Sequence, residues 1–595
     1  MGEKPGNYQA EFHNTDYETE YLSPRLDASG LINLAGRKTE SLNGKWNFTA
    51  DLYDTCRRAH WFKGECFDTV SNKKPVDWDW EGWSRISVPA SWNLERPELL
   101  YFEGFGVYTR TFRYTPQYQD ERLFLCFEGV AYSASIFLNG VFVGSHNGAS
   151  TPFNVDISEK IKTDNRIIVV ADARRSPYRI PMENMDWFNY GGIYRDIYLV
   201  RTPKVFIKDW FIRLVPDGTY TNIAVDIVLS ENIGDSVLLE IPGLSIREKI
   251  SIQNGYGSLY FCAKPELWSP EVPKLYDVLL TYNIGMGRTD VVCDTIGFRE
   301  IRVNGHDILL NGKKIFLKGI SVHEDHIILG KTTNDEIIRS TIRDLKEMHG
   351  NYLRLAHDPH SRRFAEIASE EGVMLWEEIP VYWAIAFDNP DTYQDAENQL
   401  TELILRDRNR ASVILWSVGN ENADTDSRLT FMSKLAQMVK SLDDSRLVSA
   451  ACLINHKELQ IQDRLTDFLD VIGINEYYGW YDPDISKLSR ILINSEQSKP
   501  VVICEFGGDA RLGQRGSTYD LFTEDKQKAV YDQQITAIKQ CPYIAGITPW
   551  ILYDFRSPRR SNRYQQGFNR KGIIDADRKS RKLSFDVMCQ FYKGF

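Results

Sequence analysis

The sequence predicts a multidomain protein in which two β-sandwich domains precede a TIM (β/α)8 barrel. Three observations carry this. At 595 residues the chain is longer than one hydrophobic core usually serves. Residues 1–300 read as short strands punctuated by Gly, Asn and Asp, without long helical periods. Residues 301–595 instead alternate apolar strand-like runs with helical stretches.

Within residues 1–200, Leu123–Glu128, Ser135–Leu138 and Val141–Gly144 read as strands. Asn139-Gly140 between the last two predicts a two-residue hairpin, because both residues tolerate positive φ. In residues 201–300 the strands Val205–Leu214, Asn222–Leu229 and Tyr276–Tyr282 are expected, with Pro265–Pro273 as a long turn. That block has the size of an immunoglobulin-like sandwich. Beyond Asn311-Gly312 the apolar runs are Ile315–His323, Asn351–His357, Val373–Pro380, Ala411–Asn420, Arg446–Leu453, Val471–Tyr478, Pro500–Gly507 and Ala545–Phe555. Helices are expected over Asp335–Met348, Ser361–Glu371, Thr392–Asp407 and Asp525–Gln540. A doubly wound sheet would more often carry a Gly-rich phosphate turn after its first strand, and none is present.

Composition narrows the function. The 14 Trp, 30 Tyr and 29 Phe exclude disorder over most of the length. A net charge of −11 argues against a nucleic-acid binder. The nine cysteines are odd in number and contain no C-x-x-C pair, so neither a disulfide framework nor a thiolate metal site is expected. Met1–Glu11 has no apolar core of a signal peptide, and no run of about 18 apolar residues occurs. The expectation is a cytoplasmic protein with no membrane partner.

Barrel enzymes place their chemistry at the carboxyl ends of the strands. Here those ends are rich in polar groups: His323-Glu324-Asp325, Arg354, His357-Asp358, Glu377-Glu378, Asn420-Glu421, Asn475-Glu476, Glu505, and Trp550 with Asp554. Carboxylates are seldom buried without partners, so this is not a core pattern. His357, Asp358 and His360 lack a third ligand at convincing spacing, so no metal is expected. Glu421 and Glu505 at one barrel mouth, with Tyr and Trp around them, suit glycoside hydrolysis. One carboxylic acid protonates the leaving oxygen and the other carboxylate attacks the anomeric carbon or activates water. Asn420 is suited to hydrogen-bond the sugar 2-hydroxyl. No P-loop and no G-x-S-x-G elbow supports phosphoryl transfer or serine hydrolysis.

Asp407–Glu421, DRNRASVILWSVGNE, resembles the acid/base signature of glycoside hydrolase family 2. Asn351–Pro359, NYLRLAHDP, resembles its other signature, with Asp358 where tyrosine is usual. The resemblance implies a jelly-roll sugar-binding-like domain over 1–200, an immunoglobulin-like domain over 201–300 and a catalytic barrel over 301–595. It also implies a retaining mechanism, with Glu421 as general acid/base and Glu505 as nucleophile. Within the family the β-glucuronidases are most similar. NEYYGWY at 475–481 is similar to their segment with Glu476 in place of arginine, and DWFNYGGIYR at 186–195 to their sandwich loop that reaches the active site. The resemblance makes Asp186, His323, Tyr477, Tyr481 and Trp550 sugar-site residues. Asn569-Arg570-Lys571 has the form of the motif by which that group recognises the sugar carboxylate. An ammonium and an amide supply charge-assisted and directed hydrogen bonds to a uronate.

Gln565 stands at the group's usual arginine position, so galacturonide remains an alternative to glucuronide. Neutral-sugar β-galactosidase or β-mannosidase action and non-catalytic carbohydrate binding are the further alternatives. Catalysis is expected to need no cofactor. The family resemblance implies a homo-oligomer, in many members a tetramer.

Overall fold

The computed structural model describes residues 25–63, 80–118, 120–285, 288–495 and 497–594; Met1–Glu11 and Cys66 lie outside them. The described cysteines are all free thiols.

The first sandwich packs two antiparallel sheets. One has six strands in the spatial order Ser84–Val88, Gly44–Asp51, Phe105–Arg113, Asp164–Asp172, Ser133–Leu138 and Val141–Asn147. The other has Thr39–Ser41, Ile197–Thr202, Arg122–Phe127 and Phe153–Asp156. Alternation drives the packing: in Gly44–Asp51, Trp46 and Phe48 are buried while Lys45 stays exposed. Trp46, Trp92, Tyr108, Leu125, Ile136 and Val169 meet in the core. The predicted hairpin is present, with Asn139 at φ 51° and Gly140 at φ 82° and Leu138 facing Val141.

The second sandwich joins a three-stranded sheet, Ile207–Leu214, Asn222–Leu229 and Tyr256–Cys262, to a four-stranded one. The segment carrying Pro265, Pro270 and Pro273 is irregular, as the prolines dictate. It also ties this sandwich to the barrel, because the fully buried Trp268 indole donates to the Ser369 carbonyl at 2.9 Å.

The barrel closes in sequence order through β1 (Leu317–His323), β2 (Tyr352–Ala356), β3 (Met374–Glu378), β4 (Val413–Asn420), β5 (Leu447–Cys452), β6 (Val471–Asn475), β7 (Val501–Glu505) and β8 (Ile544–Ile547). Around it run α1 (Asp335–Glu347), α2 (Arg362–Glu371), α3 (Pro390–Asp407), α4 (Asp426–Leu442), α5 (Ser486–Asn494), α6 (Glu524–Ile538) and α7 (Leu583–Lys593). Between β5 and β6 a short 3-10 turn, Arg464–Phe468, replaces the helix. Helix α3 starts two residues before the expected Thr392, because Asn389 caps Asp391 and Thr392 and Pro390 fits the first turn.

All eight sequence runs extend beyond their strands, and in the first and the last the surplus residues form other structure. Ile315 belongs to a small antiparallel sheet (Ile301–Asn304, Asp307–Leu310, Lys313–Ile315) before β1. Its Ile301, Ile308 and Leu310 pack with Leu317, Tyr352 and Val471 from the strand starts, filling the amino-terminal end of the barrel. The run Ala545–Phe555 is strand only to Ile547. Pro549 lacks the N–H a ladder needs, and residues 548–554 cross the barrel mouth instead. Phe555-Arg556 then pairs with Phe568-Asn569, which carries the Asn569–Lys571 segment back to the mouth.

Candidate active site

The carboxyl ends of the strands assemble the site around one buried cation. Arg354 points inward from β2 and is fully buried. An interior guanidinium must satisfy its fork of donors. It donates to Glu378 Oε1 and Oε2 at 3.1 Å each, to Glu505 Oε1 at 2.8 Å and to Asn420 Oδ1 at 2.7 Å. Burial opposes ionisation of Glu378, but Arg354 and His357 overcome it and hold that carboxyl down at about 2. His357 reaches Glu378 Oε1 through Nδ1 at 2.7 Å.

Glu505, the last residue of β7, receives a second donor on its other oxygen: Tyr477 OH lies 2.6 Å from Oε2. Both carboxylate oxygens are therefore aimed, one by a cation and one by a phenol. Glu421, just past β4, sits in the left-handed region at φ 53°. That is costly for a glutamate and persists where surrounding structure over-determines it. The Trp383 indole donates to Glu421 Oε2 at 2.8 Å. Burial raises the Glu421 proton affinity first, and the Glu505 charge raises it further. Glu421 is thus the carboxyl whose surroundings favour the proton.

Asn420 and Asn475 connect the two. Asn475 Nδ2 donates to Asn420 Oδ1 at 3.1 Å, while Asn420 Nδ2 is buried without a protein partner. That open donor beside Glu421 is available to a hydroxyl. The aromatic wall is His323, His357, Trp187, Tyr382 and Trp550. Trp550 stacks on His357 at 4.8 Å, and His323 meets Trp550 edge-on at 5.2 Å. Burial, with His357 and Lys331 adding to it, keeps His323 neutral.

A second cluster lies beside this pair. The Lys571 ammonium contacts Asp509 Oδ2 at 2.8 Å and donates to Tyr481 OH at 2.9 Å. Asp509 Oδ1 accepts from Gln565 Nε2 at 2.8 Å and from the Arg570 N–H at 3.1 Å. Burial works against Asp509 ionising, and Lys571 outweighs it. Asp186 comes from the first sandwich. It accepts from Arg560 on both oxygens, from Ser557 Oγ at 2.6 Å and from Asn569 Nδ2 at 3.3 Å. Arg560 Nη1 also reaches Tyr481 OH at 3.4 Å.

Every residue singled out in the sequence is therefore at this mouth: Glu421, Glu505, Asn420, His323, Tyr477 and Trp550 in the first cluster, and Asp186, Tyr481, Asn569 and Lys571 in the second. Sequence reasoning names Arg354, Glu378 and Asn475 only as strand-end polar groups and Arg560 only within the basic run Arg556, Arg559, Arg560 and Arg563, one of which could face the uronate; Trp383 and Asp509 it does not name. Arg354 had a signal, since a cation inside the apolar run Tyr352–Ala356 must find carboxylates. Asp509, four residues after Glu505, had only its position; Trp383 had none. Asp358, where the family pattern has tyrosine, pairs with Lys331. Glu377, unlike Glu378, faces another carboxylate, and burial together with Asp407 pushes its carboxyl up.

Comparison with known proteins agrees with this architecture. The profile for "Glycosyl hydrolases family 2, sugar binding domain" matches residues 39–203, that for "Glycosyl hydrolases family 2" residues 205–299, and that for the family 2 TIM barrel domain residues 301–593. A β-glucuronidase of Paenibacillus borealis is 26% identical over 92% of this chain and 95% of its own. The human β-glucuronidase is 26% identical over 94% and 91%. Among solved structures, an Eisenbergiella tayi β-galacturonidase bound to galacturonate aligns with TM-score 0.81 at 26% identity, covering 94% of this chain and 98% of that one. A Ruminococcus gnavus β-glucuronidase has TM-score 0.83 at 23% identity, covering 95% and 100%, which speaks to the fold. With three profiles of one family tiling residues 39–593 onto two sandwiches and a barrel, this chain belongs to glycoside hydrolase family 2 and is a glycoside hydrolase.

Proposed function

We propose that the protein is a retaining exo-β-glucuronidase, with Glu421 as general acid/base and Glu505 as nucleophile. The observation that carries this is the opposite setting of the two carboxyls: Glu505 accepts from Arg354 and Tyr477, whereas burial and the Glu505 charge favour the proton on Glu421. Glu505 attacks the anomeric carbon as the Glu421 proton passes to the glycosidic oxygen, releasing the alcohol. Glu421, now a carboxylate, takes a proton from water, which attacks the same carbon, frees Glu505 and regenerates the acid. Asn420 Nδ2 meets the 2-hydroxyl. A spacing of about 5–5.5 Å between the carboxyls is what the double displacement requires.

Lys571 and Asn569 are assigned to the C6 carboxylate. An ammonium has three donors; Lys571 donates to Tyr481 OH and forms an ion pair with Asp509, which leaves donor capacity for the substrate. Asp186, His323, Tyr481 and Trp550 line the sugar pocket. Curated relatives across bacteria and mammals are β-glucuronidases, which supports the glucuronide reading. A β-galacturonide is the second reading, favoured by Gln565 at the usual arginine position and by the galacturonate-bound neighbour. Turnover of p-nitrophenyl β-glucuronide, β-galacturonide, β-galactoside and β-mannoside separates these. Preference for a neutral glycoside would remove the uronide assignment.

The proposal extends to cytoplasmic action without a cofactor and to a homo-oligomer, which light scattering on the purified protein tests. No helix among the described residues is long and apolar enough to cross a membrane.

A further inference from the structure

Between Asn475 and Tyr477, which both serve the site, stands a carboxyl that faces away from it. Glu476 is 2% exposed. Its Oε2 accepts from the Tyr478 N–H at 3.1 Å and from Gln534 Nε2 of α6 at 2.9 Å. Its Oε1 has no hydrogen-bond partner, and neither has Gln534 Oε1. The Gln534 amide cannot simply be turned over, because Nε2 also donates to the Tyr478 carbonyl at 2.6 Å. A flipped amide would set oxygen against oxygen there.

Two buried oxygens on the same pair of side chains thus lack a donor, and a buried acceptor left unpaired is destabilising. One proton on Glu476 Oε1 supplies both: the acid donates to Gln534 Oε1 while the amide donates to Glu476 Oε2. We propose that Glu476 is a neutral carboxylic acid paired with the Gln534 carboxamide, and that this pair is a positioning device for Asn475 and Tyr477.

The surroundings fit. Tyr478 flanks the carboxyl on its own segment, with His456 of the β5–β6 connection held on the Tyr478 hydroxyl at 2.7 Å. Helix α6 presents Gln534 and Tyr531, whose hydroxyl is also buried and unpaired. From β7 comes the Glu505 carbonyl, which accepts the Glu476 N–H at 2.9 Å, while the Glu505 carboxyl turns to Arg354 and Tyr477. Among the described residues Glu476 makes no ion pair. Burial, only partly offset by the Gln534 and Tyr478 donors, pushes the carboxyl up to about 8. Anchoring Glu476 fixes the residue before it, whose amide meets Asn420 at 3.1 Å, and the residue after it, whose phenol meets Glu505 at 2.6 Å.

The inference rests on Glu505 being the nucleophile, so its test includes a readout independent of turnover. Infrared difference spectra of the full-length protein should contain a protonated-carboxyl stretch at pH 6.5 that fades as pH rises through about 8. That band should be missing in Glu476→Gln. Glu476→Ala should lower kcat about tenfold or more on p-nitrophenyl β-glucuronide. Glu476→Gln should recover most of that loss, since glutamine can make the same two-way pair, and should lose the alkaline fall in kcat that Glu476 causes. If Glu476→Ala does not fold, Gln534→Leu serves instead, shifting the band to higher frequency by removing the acceptor. Absence of the band at pH 6.5, or Glu476→Gln as impaired as the alanine variant with its alkaline limb unmoved, overturns the inference. An inactive wild type that still shows the band would overturn the β-glucuronidase reading and leave the acid–amide pair standing.

Discussion

The two clusters at the barrel mouth treat charge in opposite ways. Around the reacting centre stand three carboxyls, Glu378, Glu421 and Glu505, and one guanidinium, Arg354, which pairs with Glu378 and Glu505. Around the proposed C6 cradle each cation has its own carboxylate, Lys571 with Asp509 and Arg560 with Asp186. In the unbalanced cluster burial first, and then the Glu505 charge, raise the proton affinity of Glu421, the carboxyl without an ion pair. The balanced cluster gives up net positive field and gains fixed donor positions, which is what recognition of a planar carboxylate requires. Proton chemistry is served by imbalance and recognition by balance.

The strongest way to break the comparison is at the nucleophile. Glu505→Gln should lower kcat on the order of 10⁴-fold while melting behaviour stays near wild type; near-normal turnover would end the mechanism. Next, Arg354→Met leaves Glu378 and Glu505 buried without their cation. It should cost about 3–5 kcal/mol of unfolding free energy in denaturant titration, besides the activity. A loss below about 1 kcal/mol would mean the carboxylates find other compensation.

The pH dependence of stability tests the same imbalance. Glu378 binds its proton less tightly folded than unfolded, about 2 against 4.5. Its contribution is therefore fully present above pH 4.5 and is lost as pH falls from there towards 2, amounting to about 3 kcal/mol. Glu378→Gln should flatten that part of the acid-unfolding curve. Glu421 has the opposite sign in catalysis: burial and the Glu505 charge raise its proton affinity and extend the acid form to higher pH, and kcat/KM should fall as pH rises past it. Glu421→Gln should lift that alkaline limb and impair glycosides with poor leaving groups more than nitrophenyl glycosides, which need less protonation.

The smallest effect sharpens the balanced side. Lys571→Met should reduce kcat/KM on the β-glucuronide about 10²-fold and on the matched glucoside far less. It should also destabilise, because Asp509 loses its counter-charge. Adding Asp509→Asn should restore stability without restoring uronide turnover. Recovery of both would show that Lys571 acts only as a structural partner.

Much of the mouth was legible in the chain itself. Apolar runs that end on Asn420-Glu421 and on Glu505 mark strand ends, because an interior strand tolerates a carboxylate only where it emerges. The Asn139-Gly140 turn follows from the φ preferences of its two residues; the Asn389-Pro390 start of α3 was not read, because the apolar pattern begins only after the cap. The β8 run misled at its far end, since Pro549 stops the ladder while the hydrophobic pattern continues across the mouth.

Sequence alone thus determined the order of the barrel strands and the two catalytic carboxyl candidates, because these depend on local periodicity and residue type, while the Asn569–Lys571 pair was legible only through resemblance to the family. Tertiary structure alone decided who neutralises whom. Asp186 meets Arg560 from 374 positions away, and Arg354 meets Glu505 across the barrel from 151. Lys571 finds Asp509, and Glu476 finds an amide in place of a cation. Electrostatic energy depends on distance in space and on exclusion of water, and neither is set until the barrel closes and the first sandwich docks on its mouth.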